Sequence, residues 1–140
     1  MDVNTLTYIA LIALIQGLVC AFFIKGTFRK KLELELQYNQ LLLSAMVGSF
    51  LNAALSFFQF ALKIQEPMIE EFGFFQVLII QLIVGYVLQL IGTYFSIVQF
   101  SQETSVIDKK KLKKVLLIGI LKALPIVTIL EFTLAALLLG

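Results

Sequence analysis

The chain has 140 residues, of which 60% are hydrophobic and only 14% charged, with a net charge of +2. Soluble domains are nearer half apolar and a quarter charged, so a membrane protein is expected. The chain has no His and a single Cys, which excludes His-dependent catalytic dyads and triads, an internal disulfide and a cysteine-based zinc site.

Four apolar runs stand out, at residues 6–24, 41–62, 74–100 and 115–139. Each is long enough to cross a bilayer as a helix, which takes about 20 residues. Lipid offers backbone groups no partner, and the chain is too short to close a barrel from such runs. All four are therefore predicted helices. The expected fold is an all-α membrane protein with four transmembrane helices in two tandem hairpins, residues 1–72 and 73–140.

The chain starts with one acid, Asp2, and no basic residue precedes the first run. No small-residue cleavage box follows that run, so it reads as a span and not as a signal peptide. Ala13, Gly17 and Ala21 lie four apart on one face, a spacing that lets helix backbones approach closely. The connection 25–38 sets Lys25, Arg29, Lys30 and Lys31 against Glu33 and Glu35. In the second run Ser44, Gly48 and Asn52 are again four apart, while Asn52 and Gln59, seven apart, share a face. The connection 63–73 holds Glu66, Glu70 and Glu71 against Lys63, and Pro67 is expected to break the helix there.

The third run carries Gln76, Gln81, Tyr86, Gln89 and Thr93, with Gly85 and Gly92 on one side. The connection 101–114 then sets Lys109, Lys110, Lys111, Lys113 and Lys114 against Glu103 and Asp108. The fourth run contains Lys122, Pro125 and Glu131. Nine of the eleven Lys and Arg residues thus fall in the first and third connections. Basic residues in short loops stay cytoplasmic, so loops 25–38 and 101–114 are expected inside, with both termini and the acidic connection outside. The two halves share this plan in the same orientation, as a parallel repeat does. Residues 50–55 and 120–125, seventy apart, also share a Leu-x-Ala.

An ionisable group within a span costs about 2.5–3.5 kcal/mol on insertion scales, and by default marks a functional site. Depth along each helix follows from a rise of 1.5 Å per residue. Glu131 is then roughly 13 Å from the outer end of the fourth span, Gln81 about 10 Å below the start of the third, and Gln16 about 15 Å below that of the first. Gln59 lies ~27 Å from the inner start of the second span, in the same outer layer. Glu131, Gln59, Gln81 and Gln16 form the candidate ion site. The carboxyl can sit there protonated, or join the amide oxygens in holding a cation. The same glutamines can instead serve only to join helices by hydrogen bonds. Asn52, Gln89, Thr93 and Lys122 make a second polar layer nearer the cytoplasm. Lys122 and Glu131, nine apart, point about half a turn away from each other. Lys122 is expected to snorkel or to pair.

Ala123-Leu124-Pro125-Ile126-Val127-Thr128-Ile129-Leu130, ending in Ala135-Ala136-Leu137-Leu138-Leu139-Gly140, resembles the last helix of the membrane-rotor (c or K, proteolipid) subunit of rotary ATPases. The plan of hairpins joined by a polar cytoplasmic loop is also similar. The resemblance implies a ring of copies carrying protons or sodium ions past a stator. That family keeps its ion-binding acid beside the Ala-Leu-Pro motif. Here Lys122 and Ile126 flank the motif, and the only carboxyl within a span is Glu131.

Three functions are compatible with these features. The first is a proton- or sodium-carrying, rotor-like subunit acting in an oligomer. The second is a small oligomeric pore or transporter of the holin or small-exporter kind. The third is a non-transporting membrane partner, such as an assembly factor, an immunity protein or a subunit of a larger complex. No metal cluster, phosphate loop or activated nucleophile is visible, so no enzyme is expected. The expected partners are the bilayer and further protein chains, with no nucleic acid and no cofactor beyond H+ or Na+.

Overall fold

A computed structural model describes residues 2–32, 37–100, 107–138 and 140. Among these the fold is entirely helical: α1 (Val3–Leu32), α2 (Tyr38–Ala61), α3 (Gln65–Phe72), α4 (Phe74–Phe100) and α5 (Lys109–Leu138). Four of the five, α1, α2, α4 and α5, are long and apolar enough to span a membrane. The protein is a multi-pass integral membrane protein. Glu33, Glu35, Glu103 and Leu139, which entered the sequence reading, lie outside the described residues.

The helices differ from the apolar runs mainly at the basic end. α1 continues eight residues past Ile24, and α5 begins six residues before Val115. Lys and Arg are good helix formers, so charge ends the apolar run without ending the helix. At 1.5 Å per residue α1 and α5 are each about 45 Å long, against roughly 30 Å of hydrocarbon, so their basic ends project beyond it. Arg29, Lys30 and Lys31 occupy the last turn of α1, where positive charge complements the helix dipole. At the other end Asp2 caps α1. Its carboxylate accepts a 2.8 Å hydrogen bond from the Thr5 amide, one of the N–H groups the first turn leaves open.

The acidic connection is more structured than the sequence suggested. α2 ends because Lys63 takes a left-handed conformation (φ 52°), not because of Pro67. Pro67 lies in the first turn of the separate helix α3, where a missing N–H forfeits no intrahelical bond. α3 ends at Gly73, whose φ of 91° and ψ of 152° suit glycine alone.

α1 packs along α2 and α5, and α2 packs along α4, whereas α4 and α5 touch much less. Small residues set these crossings. A Cβ on Gly92 would lie 2.6 Å from the Cα of Gly48, so α2 and α4 meet backbone to backbone. One on Gly119 would lie 2.9 Å from the Cα of Ile24, where α5 crosses α1. The stripe Ala13, Gly17 and Ala21 is buried as its spacing implied, with Gly17 against the thioether of Met46.

The apolar core is uneven along the bundle. Ile24, Phe28, Leu41, Ile97, Leu112 and Leu116 are essentially inaccessible and close the half nearer the basic ends. Every residue of α2 from Phe50 onward is only partly buried or exposed. The bundle is therefore tight at the basic end and splayed at the end carrying α3.

Candidate functional site

The splay leaves a cavity of about 320 Å³ among α1, α2, α4 and α5, with Gln65 of α3 at its edge. It runs from Phe74, the first residue of α4, to Gln89, fifteen residues or about 22 Å deeper. Tyr86 helps to close the gap between α4 and α5, since its hydroxyl donates a 2.9 Å hydrogen bond to the Leu117 carbonyl.

The floor is a tightly bonded amide network centred on Gln89, which is fully buried. The Gln89 Oε1 accepts from Gln16 Nε2 (2.9 Å) and lies 2.9 Å from the Ser49 hydroxyl. Its Nε2 donates to the Ala45 carbonyl (2.8 Å) and to Thr93 Oγ1 (3.0 Å). A glutamine side chain has two donor hydrogens and two acceptor lone pairs; both donors and at least one lone pair are used here. The Ser49 hydroxyl also lies 3.0 Å from the Ala45 carbonyl, and its single proton serves one acceptor at a time. Gln16 completes the chain by accepting from Asn52 Nδ2 at 3.2 Å. Three helices are joined at this level, and each polar atom of the Gln89 side chain has a partner.

Above the floor the polar groups are loosely held. Gln81 Nε2 donates to Gln59 Oε1 at 3.5 Å. Glu131, half-buried on α5, accepts from the Tyr8 hydroxyl at 3.4 Å. Both distances are at the long limit for hydrogen bonds. All four side chains line the cavity. Loosely held oxygens facing open space can turn toward a ligand, which the tightly bonded floor cannot do.

Of the four predicted ion-site residues, the structure therefore places Glu131, Gln59 and Gln81 around the upper cavity and Gln16 in the floor. The depth count put Gln16 too high because it began at Leu6. The helix begins at Val3, which sets Gln16 about 20 Å down, level with Gln89. Of the predicted second layer, Gln89 donates to Thr93 directly, and Asn52 is linked to them through Gln16. Lys122 is exposed on α5 and lies off the cavity.

No known protein family, curated protein or solved structure matches this chain.

The sequence reading missed Tyr8 and Ser49. Tyr8 is the phenol nearest the start of the first span, at the end where Glu131 also lies. Ser49 precedes Asn52 by three residues and so shares its face. The four-residue stripe Ser44, Gly48 and Asn52 drew attention past it. Among the described residues, no three His, Cys, Asp or Glu side chains come together as a metal site. Among the described residues the ligands on offer are one carboxylate, amide oxygens and hydroxyls, an all-oxygen set suited to protons and hard cations.

Proposed function

We propose that this integral membrane protein binds and passes a small cation, a proton or a sodium ion, with Glu131 as the exchanging group. One observation carries the reading. The single carboxyl within a span faces an internal cavity alongside amide and hydroxyl groups held by long hydrogen bonds. An ionisable side chain in the membrane is costly, and one that faces a polar cavity marks an ion path. The excess of Lys and Arg at the other end puts that end in the cytoplasm, so the cavity opens outward.

The setting of Glu131 favours a small transporter over a rotor-like subunit. A rotor presents its acid to a neighbouring stator, whereas Glu131 lines a cavity formed by the helices of its own chain. Copies joined in an oligomer are compatible with either version.

The test is flux into proteoliposomes under a potassium diffusion potential, negative inside. Sodium entry is followed by isotope and proton entry by a trapped pH dye. We expect potential-driven entry of one of the two ions, reduced at least roughly tenfold in Glu131→Gln, which keeps the shape but not the charge. Vesicles that stay tight at high density of folded protein refute the reading and leave a non-transporting membrane partner.

A further inference from the structure

The cavity is larger than a bare ion needs. A volume of about 320 Å³ equals roughly ten waters at ~30 Å³ each. It also falls at the lower end of the 300–1,000 Å³ typical of small-molecule sites. The lining fits a particular kind of molecule. Tyr8, Phe60, Phe74, Tyr86 and Phe132 place five aromatic rings around the cavity, with Glu131 as its one carboxylate. Among the described residues no Lys or Arg lines it. Aromatic faces attract cations through their quadrupole, most strongly where water is excluded, and quaternary ammonium groups are recognised this way. A lone carboxylate supplies the matching charge, and the leucine, isoleucine and valine side chains between the rings cover an apolar body. Phe132 and Phe74 are about half exposed at the upper part of the cavity, and α4 and α5 touch much less than the other neighbouring spans. A molecule that partitions into the bilayer can enter there.

We propose that the cavity binds a lipophilic organic monocation, a compact apolar body bearing one quaternary or protonated nitrogen; this rests on the cation-binding reading of Glu131 and names the class of substrate. The cation's charge lies against the Glu131 carboxylate, its apolar body lies among the rings, and the Gln89 network is the bottom on which it rests. Protons or sodium ions occupy the same carboxylate in its absence.

The test uses the full-length chain in nanodiscs. Benzyltrimethylammonium is titrated by calorimetry beside its neutral isostere neopentylbenzene, and sodium is titrated separately. We expect saturable binding of the ammonium that sodium weakens by competition. Glu131→Gln reduces it at least roughly tenfold without changing uptake of the neutral isostere. Phe132→Leu weakens ammonium binding roughly two- to tenfold and leaves sodium binding unchanged. Should Glu131→Gln fail to fold, the Phe132 variant decides alone, because it alters no charge. Sodium binding that depends on Glu131, with no ammonium binding and no competition, overturns this inference and leaves the ion-carrying reading standing. Ammonium binding no stronger than that of the neutral isostere also overturns it. If neither cation binds the folded protein, this inference falls, and proton entry in the flux assay alone decides the ion-carrying reading.

Discussion

Replacing Gly92 by alanine tests how closely α2 and α4 meet. The new Cβ would lie 2.6 Å from the Cα of Gly48, 2.9 Å from its nitrogen and 3.0 Å from Cδ1 of Leu51. Ordinary carbon contacts lie at 3.5–4.0 Å, so the helices must separate by about 1 Å. Two of the three opposing atoms belong to the backbone and cannot swing aside. A 1 Å shift stretches the bond from Gln89 Nε2 to the Ala45 carbonyl from 2.8 Å past the usual limit, together with the contact to Ser49. Overpacking costs about 1–3 kcal/mol. Two lost interhelical hydrogen bonds add about 0.6 kcal/mol each. The expected loss is therefore roughly 2–4 kcal/mol. Gly26→Ala is the control, since nothing lies within 4 Å of its Cβ. It should be neutral or gain up to about 1 kcal/mol from helix propensity. Unfolding of both variants in mixed SDS and maltoside micelles, followed by circular dichroism, measures the difference. A Gly92→Ala protein within about 0.5 kcal/mol of wild type, a change typical of ordinary surface sites, refutes the backbone-to-backbone crossing.

Gln89→Leu keeps the volume but removes the three side-chain bonds from Gln89 to α1 and α2. It should lose about 3–5 kcal/mol in the same assay, from ~0.6 kcal/mol for each of the three bonds plus about 1–3 kcal/mol for the stranded Gln16 amide. Gly73→Ala meets no neighbour but forces an L-residue into a conformation only glycine favours. It should lose about 1–3 kcal/mol, visible as a lower midpoint of unfolding. The hydrogen bond from Thr5 holds the Asp2 carboxyl below its ordinary 3.8. A depressed carboxyl contributes stability above its unfolded value and loses it as pH falls through the folded one. The Thr5 amide resonance should therefore titrate with a midpoint below 3.8, marking release of the cap, and Asp2→Ala should abolish that titration.

Most of the architecture was legible because lipid leaves few choices. An apolar run of some twenty residues must satisfy its own backbone, and only a helix does so within one segment. The third span, Phe74–Phe100, matches its apolar run at both ends. The small-residue stripes were legible for a similar reason. Four-residue spacing puts Gly48 and Asn52 on one face, and seven-residue spacing does the same for Gly85 and Gly92. Those faces do meet, with Gly48 against Gly92 and Asn52 against Gly85. Helix ends were less legible where the helix outlasts its apolar run, as through Lys31 and from Lys109, because hydropathy reports solvent and not backbone conformation.

The amino-acid sequence by itself determined four membrane-spanning helices, the two basic ends, and one carboxyl with several amides inside the spans. Covalent order and transfer energy suffice for each of these, because each is a property of a single segment. Only the tertiary structure decided which polar groups meet. It sent Gln16 to Gln89, paired Glu131 with Tyr8, and left a cavity among α1, α2, α4 and α5. These outcomes depend on how far helices approach and how they tilt. Those in turn depend on contacts between residues such as Gly48 and Gly92, forty-four positions apart, which no local pattern encodes.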